Sequence, residues 1–167
     1  MARGRNGAIW LTLRLRNNRK GRMEATLPPA LAEIVDDFSQ CERQEKIALL
    51  VDYAGQLLPP PPEALADGDA PESVPECMTP VSLRVLQQGG RLRFYFDIPQ
   101  DAPLIRGYAA IMQQGLWDVT PQEILRIPAD FYHVMGLQEL LTPQRLNGLM
   151  AILAHVKRVA VRLIGEG

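Results

Sequence analysis

The chain has 167 residues, 47% of them hydrophobic and 22% charged, which suits one globular domain with enough core to fold without staples. Two cysteines exclude a disulfide framework, and no apolar run is long enough to span a bilayer. The formal net charge of −1 divides unevenly: the first 22 residues carry seven bases and no acid, leaving eleven bases against nineteen acids, a net −8, and that acidic body argues against a nucleic-acid partner.

The basic head up to Arg22 has three readings. It is an organelle-targeting arm that lacks serine, an arm for a nucleic acid or membrane surface, or an upstream extension without a role ahead of a natural start at Met23. The third is preferred, with 1–26 expected as a basic, disordered extension or loose strand and 27–167 as a single domain.

From Pro28 the pattern turns helical, with Leu31, Ile34, Val35 and Phe38 on one face. Ser39-Gln40-Cys41-Glu42 has the form of a capping box that opens a second helix carrying Ile47, Leu50, Val51, Ala54 and Leu57, and the two helices are expected to pair antiparallel. Pro59 to Pro62 ends that helix, and a long Pro-rich, acidic loop with an Asp67-Gly68-Asp69 turn signal delivers Cys77. Pro75 and Pro80 flank the thiol; Thr79 is held extended by the proline after it, while Glu76 is free to turn.

Alternation over Val81, Leu83, Val85 and over Leu92, Phe94, Phe96, joined by Gln87-Gln88-Gly89-Gly90, predicts a β-hairpin with one buried face. A lone hairpin is marginal in water, so a short third strand near 73–76 and packing against helices are expected. Asp101 is placed to cap a helix bearing Leu104, Ile105, Tyr108, Ile111, Met112 and Leu116. Thr120-Pro121-Gln122-Glu123 is a capping box with Pro at the first helical position, and 131–135 adds a turn. Thr142-Pro143-Gln144-Arg145 opens the last helix, with Leu146, Leu149, Met150, Leu153, Val156 and Ala160 as its buried stripe. Arg145 there faces the positive end of the helix dipole, so some other demand keeps it. Helices around a small antiparallel sheet read as α+β.

Chemistry narrows quickly. Cys41, Cys77, His133 and His155 are the only soft ligands and none has metal-site spacing, so no metal is expected, and both histidines read as surface or partly buried. Phosphate-loop and serine-nucleophile motifs are absent, and Asp36-Asp37 reads as a solvated helix face. What remains is thiol chemistry in a reducing, cytoplasmic setting. A helix start favours Cys41 as thiolate and Glu76 disfavours Cys77, whereas access favours Cys77; the residues alone leave the two level.

Three segments break the tie by resemblance. Val74-Pro75-Glu76-Cys77-Met78-Thr79-Pro80-Val81 resembles the G-C-x-S-x-V loop of the SufE-like cysteine desulfuration proteins. Asp101-Ala102-Pro103-Leu104-Ile105-Arg106-Gly107 is similar to that family's S-D-A-x-I-V-[RK]-G helix start, and Leu141 to Leu149 to its L-[ST]-P-x-R-x-[NQ]-G-[LF] segment. The resemblance spans about 27–160. Departures are Glu76 for the family's Gly, Thr79 for Ser, Pro80 for Gln and Ser82 for Trp.

The resemblance implies an α+β fold like the U-type cluster scaffolds, with Cys77 as persulfide acceptor and Asp101, Arg145 and Thr79 beside it. It implies a pyridoxal-phosphate cysteine desulfurase as sulfur donor, an iron–sulfur cluster scaffold as recipient, no cofactor of its own, and a monomer or weak homodimer rather than a stand-alone enzyme. On this view Arg145 supplies positive potential to the thiol, Asp101 caps its helix and orients Arg145, and the loop swings out to meet the partner. The rivals are an adaptor that binds a desulfurase or scaffold without carrying sulfur, and a thiol–disulfide exchanger, weakened by the lack of a nearby resolving cysteine.

Overall fold

The hairpin is closed by two glycines. Gly89 and Gly90 adopt φ of 57° and 76°, the left-handed pair that a two-residue turn needs to follow the twist of its strands. The structure is a computed structural model describing residues 21–22, 25–66, 68 and 70–167, so the readings of the basic head up to Arg22 fall almost wholly outside the described residues, as do the start at Met23 and, in the turn signal, Asp67 and Asp69. β1 (Glu72–Ser73), β2 (Ser82–Gln88) and β3 (Arg91–Asp97) form an antiparallel sheet in the order β1-β2-β3. Leu83 faces Phe96 and Val85 faces Phe94 across the ladder, which puts the apolar alternation on one face. The third strand lies one residue earlier than 73–76, because Val74 already begins the turn that carries the cysteine.

The helices are α1 (Pro29–Gln40), α2 (Arg43–Ala54), α3 (Pro62–Ala66), α4 (Pro103–Gly115), α5 (Pro121–Leu125) and α6 (Pro143–Gly165), with 3-10 turns at Phe131–His133 and Leu137–Glu139. α4 is apolar nearly all round, from Ile105 through Tyr108, Ala109, Ile111 and Met112, and it is therefore the central helix. The sheet, α1, α2 and α6 pack against it. α2 approaches so closely that a Cβ on Gly107 would overlap the Leu50 carbonyl.

The first two helices therefore do not form the expected antiparallel pair. They meet at Phe38 and Tyr53, whose ring centroids are 6.0 Å apart, but each lays its main stripe on α4. The buried face of α2 runs Lys46, Leu50, Ala54, leaving Val51 exposed. Leu58, in the proline-rich segment, is held to the sheet by the fully buried Gln113. Its Oε1 accepts from the Leu58 N–H at 2.8 Å, and its Nε2 donates to the carbonyls of Leu58 and Phe94, both at 3.1 Å. That segment also contains α3, so it is not the bare loop expected.

Two caps moved. Ser39 stays inside α1, where its hydroxyl donates to the Asp36 carbonyl at 2.7 Å, and α2 starts three residues later at Glu42, whose N–H donates to Glu45 at 2.6 Å. Asp101 does not cap α4. Pro103 occupies the first helical position and drives the residue before it out of the helical region, so Ala102 is the N-cap and Asp101 falls one residue too early. The other expected starts hold: Thr120 and Glu123 bond reciprocally, and the Thr142 hydroxyl accepts from the Arg145 N–H at 3.4 Å. On α6, Met150 is exposed, and Ile152 and Val159 join the buried stripe. Among the described residues no helix is long and apolar enough to cross a membrane.

Candidate functional site

The connection from β1 to β2 is short and closed. Val74 and Val81, both buried, bring its ends together, with the Val74 N–H donating to the Val81 carbonyl at 2.9 Å. Inside it, the Cys77 N–H donates to the Val74 carbonyl at 3.2 Å, a turn with Pro75 and Glu76 at its centre. Asp118 is the only non-glycine with positive φ among the described residues, so Glu76 sits in this turn without left-handed strain. A side chain at that position is therefore compatible with the loop.

Cys77 is half-buried between α4 and α6. A Cβ placed on Gly148 would come within 3.0 Å of the Cys77 sulfur and 3.9 Å of Ile105 Cδ1, so the missing side chain of α6 makes the notch that takes the thiol. Burial pushes the thiol pKa up, and a hydrogen bond to the sulfur from the Thr79 backbone N–H pulls it partly back. Thr79 contributes through its main chain. Glu76, expected to raise the thiol, instead pairs with Arg158 at 3.4 Å. Met78 is 78% exposed and its sulfur meets the Gln144 amide.

Asp101 lies one turn before Ile105, and Arg145 one turn before Gly148, so both mark the starts of the helices that flank the thiol. Both are exposed, and among the described residues no ion pair joins them. Arg145 is capped through its backbone N–H, and its guanidinium is not among the groups that shift the thiol. Cys41 is displaced from the helix start expected for it. It follows the C-terminus of α1 and donates to the Asp37 carbonyl at 3.3 Å. His155 is bonded to Glu72 at 3.0 Å, and His133 is exposed and stacks on Tyr132. No cluster of three His, Cys, Asp or Glu able to hold a metal occurs among the described residues.

Gly148, Gln144, Arg158, His155 and Glu72 were missed as site residues. Gly148 had a signal, since glycine inside a helix costs about 1 kcal/mol against alanine and so calls for a packing reason.

A half-buried thiol on a tight turn of a small antiparallel sheet, docked against a long helix, defines a thiol-presenting α+β domain. The SufE family model, an Fe-S metabolism associated domain, matches residues 32–160. A SufE-like protein of Mycobacterium tuberculosis is 43% identical over 135 residues, covering 80% of this chain and 93% of that protein. One from Synechocystis is 34% identical over 149 residues, covering 86% and 91%. A solution structure of a hypothetical protein from Thermus thermophilus has a TM-score of 0.73 at 32% identity, covering 83% of this chain and 98% of that one. The chain belongs to the SufE family, which ties it to iron–sulfur metabolism.

Proposed function

We propose that Cys77 accepts sulfur from a cysteine desulfurase and relays it to an iron–sulfur cluster scaffold. The observation that carries this reading is the placement of Cys77 on a closed, proline-flanked turn in the Gly148 notch, the one thiol of the chain held by a dedicated loop. The desulfurase bears a persulfide on its own cysteine. The Cys77 thiolate attacks the outer sulfur, a new S–S bond forms on Cys77 as the donor S–S bond breaks, and the donor cysteine leaves as thiolate. Cys77 is then a persulfide whose outer sulfur passes to the scaffold.

The docked thiol is a poor nucleophile, because burial disfavours the thiolate. Reaction therefore requires the turn to leave the notch, and the encounter supplies what the resting site withholds. Arg145, exposed one turn from the notch, is assigned to stabilise the thiolate once the loop has moved, and Asp101 to the same rim. The same protonated thiol favours a second reading, an adaptor that stimulates a desulfurase without carrying sulfur. Desulfurase turnover with wild type and with Cys77→Ser separates them. The acceptor reading expects stimulation to be lost in the variant; stimulation that survives supports the adaptor.

A further inference from the structure

We propose that Glu76, Arg158, His155, Glu72 and Arg162 form a latch that holds the cysteine loop on α6, with Arg158 as the positioning residue that sets how often Cys77 is presented. The importance of the latch rests on the acceptor reading of Cys77, although its existence does not.

The side chains run in an unbroken line. One nitrogen of Arg158 faces Glu76 Oε1 at 3.4 Å and His155 Nδ1 at 3.1 Å. Guanidinium only donates, so Nδ1 accepts, and Nε2 carries the proton to Glu72 Oε2 at 3.0 Å. Arg162 closes the line on both Glu72 oxygens. His155, Arg158 and Arg162 recur at helical spacing on one face of α6, and Gln144 and Gly148 lie on the same stripe. The loop is thus tethered on both sides of the thiol, at Gln144 through Met78 and at Arg158 through Glu76.

The two ends of the line differ in strength. Glu72 belongs to β1 and is fixed by pairing with Leu83, and the His155 side chain is only 12% exposed. Glu76 and Arg158 are 52% and 53% exposed, and Glu76 is the single charge in 74–81. The outer pair is therefore the link that breaks when the turn lifts while the inner pairs stay. An exposed ion pair of this kind changes a two-state population by about two- to fivefold.

The test is alkylation of the reduced full-length protein by iodoacetamide at fixed pH, read peptide by peptide, with Cys41 as internal reference. Removing a cation near a thiol disfavours the thiolate and slows alkylation, whereas releasing a latch speeds it, so Arg158→Gln separates the two by sign. The latch predicts Cys77 two- to fivefold faster in Arg158→Gln and Glu76→Gln with Cys41 unchanged, and a return toward the wild-type rate when Glu76→Arg is combined with Arg158→Glu. Should Arg158→Gln unfold the domain, both cysteines accelerate together, and Glu76→Gln then decides through the pH profile of its alkylation, since losing an anion beside the thiol only lowers the pKa whereas releasing the latch also raises the limiting rate of the thiolate. An unchanged or slower Cys77 in either folded variant, or a reversed pair that fails to restore the rate, overturns the proposal. No desulfurase enters the measurement, so failure of the latch and failure of sulfur transfer are separate results.

Discussion

Gly148 sets how closely the thiol lies against α6. Substituting alanine adds a Cβ within 3.0 Å of the Cys77 sulfur while raising intrinsic helix propensity by about 1 kcal/mol. The loop, being the softer partner, gives way. Gly148→Ala should therefore melt no lower than wild type while Cys77 is alkylated severalfold faster; an unaltered alkylation rate would show that the notch does not hold the sulfur. Arg145 gives the opposite separation. Its cap uses only the backbone N–H and its side chain is exposed, so Arg145→Ala should leave the stability within about 0.5 kcal/mol of wild type. Sulfur transfer to Cys77 in single-turnover experiments should nonetheless slow, and unchanged kinetics would remove the role assigned to Arg145.

Among the elements, α4 carries the greatest structural demand. Gly107 lets it touch the backbone of α2, and a methyl group there has no rotamer by which to escape the Leu50 carbonyl. Gly107→Ala should cost roughly 2–4 kcal/mol in urea unfolding, against near neutrality for alanine at the open Gly165. This contact was not legible in the sequence, because it joins residues 57 positions apart and a glycine does not name its neighbour. What was legible was local. Gly89-Gly90 announced the hairpin, Thr120 with Glu123 announced α5, and the stripe Leu31, Ile34, Val35, Phe38 announced α1, each within a few residues of chain. The two misplaced caps were local competitions as well: Ser39 found an acceptor inside its own helix, and Pro103 moved the start of α4 past Asp101. The candidate site was legible at Cys77 by resemblance. The notch at 148 and the latch at 158 were not, since both depend on α6 folding back over the β1–β2 turn.

For the whole molecule, charge pairing predicts a sensitivity to acid. Arg162 holds the Glu72 carboxyl below its ordinary range, Arg93 does the same for Asp118, and hydrogen bonds from Thr120 do so for Glu123. In each case the folded pKa lies below the unfolded one, so the stabilisation is complete above the unfolded value and is lost as pH falls through the folded value. The melting temperature should therefore hold steady near neutrality and drop below about pH 4. Glu72→Gln should lower it at neutral pH and shrink that drop; an acid profile unaffected by the change would contradict the pairing. Because Glu72 also anchors the inner end of the latch, acid loss of that pair loosens the seat of the cysteine turn along with the fold. The function proposed for this turn is to deliver a sulfur-accepting thiol. Incubating the protein with a cysteine desulfurase and cysteine and then weighing it intact without reductant tests that function most directly. The expected result is added mass of whole sulfur atoms, mapped to Cys77 and absent from Cys77→Ser. Sulfur found on Cys41, or on neither cysteine while the desulfurase turns over, would contradict it.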